Sequence, residues 1–125
     1  MGNAIKTFRD MPVYKDAFTL QQEIFRISKA WPREEMYSLT DQIRRSSRSI
    51  GANMAEAWSK RRYEAHFVSK LTDADAELQE TRHWLDTAKT CEYLNHHSHT
   101  VLVDEAESIG RQLGAILRDA KSFCI

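Results

Sequence analysis

Residues 67–88 read FVSKLTDADAELQETRHWLDTA, and from Phe67 onward an apolar or small residue returns every third or fourth position. Phe67, Leu71, Ala74, Leu78, Thr81, Leu85 and Ala88 keep one stripe on one face of a helix. A strand, whose side chains alternate with a period of two, does not carry that pattern.

The same rhythm extends on both sides. Upstream, Met36, Leu39, Ile43, Ile50, Met54 and Ala57 or Trp58 form a second ladder, with small Ser46 or Ser47 where another large apolar residue would fall. This predicts a helix from about Glu34 to Trp58. Its start has two readings: Pro32 with Glu34 and Glu35 suits a first turn, while Ser38-x-x-Asp41 also reads as a cap with an acid behind it. Further upstream, Val13, Ala17, Leu20, Ile24, Ile27 and Trp31 predict a first helix stopped by Pro32. Downstream, Asn95-His96-His97-Ser98 reads as a loop. Beyond it, Leu102, Ala106, Ile109, Leu113, Ile116 and Ala120 predict a last helix, with Ser98 or Thr100 as its cap and Asp104 and Glu105 near its positive end.

Four ladders near a 3.5-residue period, joined by short connections, predict an all-α protein: an antiparallel up-down-up-down four-helix bundle, left-handed, with crossings of roughly 20°. Residues 1–11 read as an N-terminal extension and residues 12–125 as a single domain. Tyr14, Phe18 and Phe25 make a second stripe on the first helix. Together with Trp31, Trp58, Trp84 and Tyr93 they supply more apolar area than four narrow seams need, which reads either as surface left for another subunit or as a wide stripe that faces two neighbouring helices.

Composition narrows the function. Eighteen Lys and Arg balance 18 Asp and Glu, so no uniformly basic surface coats a polyanion, and any nucleic-acid contact must come from local asymmetry. Cys91 and Cys124 are too few for a disulfide framework and lack Cys-x-x-Cys spacing, which fits a reducing cytoplasm. No window has the roughly 20 apolar residues of a membrane span, and no signal-peptide core is present. Met1-Gly2 resembles a myristoylation start, but Lys6 stands where Ser or Thr is required.

The asymmetry lies around the second helix. Between Asp41 and Arg62, six cations (Arg44, Arg45, Arg48, Lys60, Arg61 and Arg62) face only Asp41 and Glu56. From Tyr63 to Glu92, acids outnumber bases by seven to three. The six cations are the candidate nucleic-acid contacts. Pairing of a basic second helix with an acidic third is the plain alternative. Arg45, Ser49, Asn53 and Glu56, spaced four, four and three apart, line a polar stripe on the second helix, which reads either as a solvated or internally hydrogen-bonded face or as a ligand or nucleic-acid contact surface. Ser47, Gly51 and Ala55 form a flat groove for close approach of another backbone.

These blocks resemble the 23S rRNA intervening-sequence protein family of bacteria. The match runs through Trp31-Pro32-Arg33-Glu34-Glu35, Tyr37-Ser38-Leu39-Thr40, Gln42-Ile43-Arg44-Arg45, Ser49-Ile50, Asn53-Met54-Ala55-Glu56, Glu77-Leu78-Gln79-Glu80-Thr81 and Tyr93-Leu94. The resemblance implies a four-helix bundle that assembles as a homo-oligomer, a pentamer. A related branch serves diversity-generating retroelements as an accessory protein, contacting a reverse transcriptase and nucleic acid; that branch is strongly basic, and this chain is neutral. Many relatives carry glycine after the Ala-Glu pair. This chain has Ala57-Trp58 instead, which lets the second helix run past Trp58.

Enzyme signatures are sparse. Arg61 and His66 share the Arg-x4-His spacing of HEPN ribonucleases, which makes metal-independent RNA cleavage a remote reading. Cys91, His96, His97 and His99 are a possible transition-metal set by type, though histidines crowd many solvated loops. No glycine-rich phosphate loop and no Gly-x-Ser-x-Gly occurs. The sequence therefore assigns no catalytic residue, metal site or cofactor. It points to a non-enzymatic, homo-oligomeric binding or scaffold module in the cytoplasm, with RNA, DNA or a nucleic-acid enzyme as partner. The alternative is a protein-interaction or structural oligomer with no nucleic-acid role.

Overall fold

In a computed structural model, residues 5–125 are described; the Met1-Gly2 start lies outside them. The described residues are almost wholly helical. The four long helices are α1 (Pro12–Ser28), α2 (Asp41–Ser59), α3 (Glu64–Thr90) and α4 (His96–Arg118), followed by a short α5 (Ala120–Phe123). Among the described residues no strand occurs, and no helix is long and apolar enough to cross a membrane.

The predicted ladders are the core. All seven ladder residues of α3 are buried, as are Val13, Ala17, Leu20 and Ile24 of α1, Ile43, Ile50, Met54 and Ala57 of α2, and Leu102, Ala106, Ile109 and Leu113 of α4. Burying one such aliphatic side chain contributes about 1.5–3 kcal/mol before conformational entropy is charged against it. Met11, on the N-terminal extension, is also buried in this core. Thr7 and Asp10 form a capping box just before it: Lys6 and Thr7 donate backbone N–H groups to the Asp10 carboxylate at 2.9 and 3.0 Å. Pro12 then opens α1 at a position where its missing N–H costs nothing.

The start of the second helix departs from both sequence readings. A 3-10 turn, Arg33–Glu35, leads into a wide π turn, Met36–Thr40, that is broken at Ser38 (φ −121, ψ −105), and α2 begins only at Asp41. Ser38 does not cap it. Instead the Glu35 carboxylate accepts the Leu39 N–H at 3.4 Å and the Tyr93 hydroxyl at 2.8 Å, pinning the kink to the far end of α3. The kink shifts the helical phase, so Leu39 is buried while Met36, expected in the core, is 47% exposed. The Glu35 carboxylate also pushes the Tyr93 phenol up to about 12, because its negative charge and hydrogen bond favour the neutral form.

The other helix ends also differ. α2 stops at Ser59, one residue past Trp58, and Lys60 closes it in an ordinary conformation without a glycine. Asn95-His96-His97-Ser98 is not a loop: Asn95 is the cap of α4, its side chain accepting the Ser98 N–H at 2.7 Å, and the histidines occupy the first turn. α4 ends at Arg118, so buried Ala120 belongs to α5. The stop of α3 carries no glycine signal because Glu92 takes the left-handed position (φ 65), with the Tyr93 N–H donating to Ala88 O at 2.8 Å as in a Schellman motif.

Candidate nucleic-acid interface

The six candidate cations do not form one patch. Successive residues of a helix are rotated by about 100°, and this separates Arg44 and Arg48 from Arg45. Arg44 and Arg48 lie toward α1, where both guanidinium groups sit over the Phe25 ring, 4.8 and 5.3 Å from its centroid. Lys29, which the sequence reading does not include, brings its ammonium to 4.7 Å from the same centroid. Three cations thus surround one half-buried ring, and none of them is ion-paired among the described residues.

Two effects hold like charges together there. Each cation gains roughly 0.5–2 kcal/mol from the ring quadrupole. The cluster also sits at the C-terminal end of α1, where the helix dipole favours positive charge. Arg44 is anchored further: its Nε donates to Ser28 Oγ at 2.8 Å, and Ser28 Oγ donates to Phe25 O at 3.1 Å. This use of Nε leaves the two terminal nitrogens of Arg44 for an anion, in the fork that suits a phosphate.

Arg45 faces the other way. It belongs to the polar stripe, which runs along the α2–α3 seam and meets acids of α3. Burial pushes the Glu77 carboxyl up, as does Glu80, while Arg45 pulls it down. The stripe satisfies itself within the subunit: Ser49 Oγ donates to Arg45 O at 2.8 Å, Asn53 Nδ2 donates to Ser49 O at 2.9 Å, and Glu56 pairs with Lys70 at 2.9 Å. The Glu56 hydrogen bond holds the Lys70 ammonium above its ordinary range. Basic-helix-to-acidic-helix pairing is therefore present in part, with the sign reversed at Glu56–Lys70.

Lys60, Arg61 and Arg62 lie at the α2–α3 turn, twelve residues beyond Arg48 and so roughly 18 Å away along α2. Arg61 is folded back, its guanidinium 3.6 Å from the Trp58 ring centroid and its Nε donating to Trp58 O at 2.8 Å. His66 stacks edge-on against Tyr63, so the Arg-x4-His pair is engaged with two different aromatic neighbours.

The Cys and His set is likewise dispersed. His96 contacts Lys89 at 3.3 Å, His99 contacts Asp86 at 2.9 Å, and Cys91 is exposed at the end of α3. Among the described residues no three His, Cys, Asp or Glu side chains converge as metal ligands. The sequence also contains one Glu-x-x-His spacing, Glu80 to His83, but both residues are exposed and Glu80 accepts from Trp84 Nε1 at 3.1 Å. The Phe25 cluster itself was beyond the linear reading because Phe25 and Lys29 come from another helix.

Comparison with known proteins adds a family and a fold relative. The sequence profile described as 23S rRNA-intervening sequence protein matches residues 9–115. A crystal structure of a protein with unknown function from the S23 ribosomal protein family of Bacteroides thetaiotaomicron is similar at 28% identity with a TM-score of 0.77, over 85% of this chain and 95% of that one. No curated protein matches the chain significantly.

Proposed function

This chain belongs to the 23S rRNA-intervening sequence protein family, and from that premise we propose that it is a non-enzymatic binding module that grips nucleic-acid phosphate through Lys29, Arg44 and Arg48. The observation that carries this reading is the convergence of three unpaired cations on Phe25. The scaffold is read as a left-handed, antiparallel up-down-up-down bundle. The pairings of Ser46 with Thr81 and of Glu56 with Lys70, in which numbers rise along α2 as they fall along α3, support the antiparallel part. The working form is a cytoplasmic homo-oligomer, a pentamer by family resemblance. Phe18, 46% exposed, and Tyr37, 89% exposed, support self-association. Repetition of a weak cationic site around such an assembly multiplies affinity through avidity. Lys60 and Arg62 offer a second, separate pair of cations at the α2–α3 turn.

The test is fluorescence anisotropy of labelled structured RNA and duplex DNA, titrated with the protein from low to physiological salt. Affinity is expected to fall steeply with salt and to be lost in the Arg44→Glu/Arg48→Glu double variant, whose helical content is checked by circular dichroism. Unchanged affinity in a folded double variant overturns the reading. The second reading, a structural or protein-interaction oligomer, rests on the same exposed Phe18 and Tyr37. It prevails if the oligomer forms and no nucleic acid binds even at low salt.

A further inference from the structure

The first helix carries a second ring on the face that holds the phosphate-binding cluster. Phe18 precedes Phe25 by seven residues, about two turns of α1, so both rings lie on the α1–α2 side, separated by about 10 Å at ~1.5 Å per residue. Tyr14, on the same stripe, marks that side: a Cβ at Gly51 of α2 would stand 3.3 Å from its ring. The two phenylalanines differ in what they still offer. Phe25 is half-buried and already faces Lys29, Arg44 and Arg48. Phe18 is 46% exposed, and among the described residues no cation sits over it.

The surroundings keep Phe18 open and fixed. Tyr14 backs it at 6.2 Å between ring centroids, and Phe8 braces Tyr14 edge-on at 4.9 Å. Past Arg48, this side of α2 continues with Gly51, Ala52 and Ala55, too short to cover the ring. Gln22, one turn further along α1, accepts from Gln21 Nε2 at 3.2 Å through its carbonyl oxygen and keeps its own amide N–H groups for a ligand. Lys15, one turn the other way, is exposed.

A cationic cluster followed by an open aromatic face is the pattern of sites for single strands, with phosphate on the charges and a base stacked on the ring. A duplex meets the cluster equally well, because its phosphates lie outside, but its bases would have to unstack before one could lie on Phe18. An anion without bases would leave the ring in water. From the phosphate-binding reading above, on which this step rests, we infer that the α1–α2 face takes an unpaired stretch of nucleic acid. Its backbone phosphate sits on Lys29, Arg44 and Arg48, and a base a nucleotide or two away stacks on Phe18. Tyr37, at the kinked turn, then remains as the exposed apolar contact between subunits.

The test uses the full chain and three fluorescein-labelled ligands of about 12 nucleotides: oligothymidylate, a strand of the same length that is abasic throughout, and a duplex. The abasic strand keeps the phosphates and removes the bases. Phe18→Leu keeps an apolar side chain without a π face, and because Phe18 is exposed the variant should retain the parent's circular dichroism. In anisotropy at low salt, F18L should weaken oligothymidylate binding about fivefold or more, the scale of one lost stack, and leave the duplex and abasic affinities unchanged. Phe18→Trp should hold oligothymidylate at least as tightly as the parent. The Arg44→Glu/Arg48→Glu variant should lose all three ligands. The inference is overturned if F18L binds oligothymidylate like the parent, or if it weakens duplex and abasic strand by the same factor. It is also overturned if F18L reduces the size of the assembly in light scattering, because a second copy then covers the ring. The phosphate reading fails by a different result, an arginine double variant that binds the duplex like the parent, and the inference falls with it.

Discussion

Thr81 donates a hydrogen bond to Ser46 across the α2–α3 seam at 2.9 Å, and Ser46 donates in turn to Ile43 O at 3.3 Å. Both hydroxyls are buried amid aliphatic side chains. A leucine at position 46 would complete the ladder of α2, but its volume would drive the two helices apart. The small hydroxyl pair instead lets them approach closely at the centre of the bundle.

A double-mutant cycle reads what the pair contributes. Ser46→Ala and Thr81→Val should each cost about 1 kcal/mol in urea unfolding, the scale of one intramolecular hydrogen bond with its partner left exposed to an apolar site. Thr81 has a fallback acceptor, Glu77 O at 2.9 Å, which keeps the S46A cost at the low end. The double variant should lose clearly less than the sum of the singles, since both polar groups then leave the core together. Strict additivity would show that the pair is uncoupled.

How far the fold is legible depends on which residues set each boundary. The α3 ladder is complete in the sequence because its seven buried positions obey one periodicity with no competing signal. The kink before α2 is not, because it is fixed by Glu35 reaching Leu39 on one side and Tyr93, 58 residues away, on the other. The stop of α3 is hidden for a different reason: Glu92 holds a conformation that glycine usually announces. The separation of Arg45 from Arg44 and Arg48 follows from helical geometry alone. The cluster they form does not, since Phe25 and Lys29 reach it only through the α1–α2 packing.

Glycines on α2 and α4 should respond oppositely to alanine. A Cβ at Gly51 would stand 3.3 Å from Tyr14 Cε1, and the Tyr14 ring is flanked by Phe8 at 4.9 Å and Phe18 at 6.2 Å, so it has little room to yield. The expected groove for another backbone is thus filled at this point by an aromatic ring of α1. A Cβ at Gly110 meets Leu78 Cδ2 at an ordinary 3.5 Å. Gly110→Ala should therefore stabilise by about 0.5–1 kcal/mol through helix propensity, while Gly51→Ala should destabilise by about 1 kcal/mol as the strain outweighs that gain. Thermal unfolding of the two variants side by side checks the signs. Equal stabilisation of both would mean that Tyr14 moves freely.

The acidic centre of the α1–α4 seam predicts a pH dependence with a definite sign. The Glu105 carboxyl is raised above 4.5, chiefly by burial and then by Glu23 and Asp16. A group whose folded value is raised stabilises the fold in its protonated form. That contribution is complete below the unfolded value and is lost as pH rises through the folded one. Glu105→Gln keeps the neutral form at every pH, so it should match the parent near pH 4 and exceed it increasingly toward pH 7. Urea midpoints at intervals across that range measure the difference. A constant difference would assign the effect of the substitution to packing.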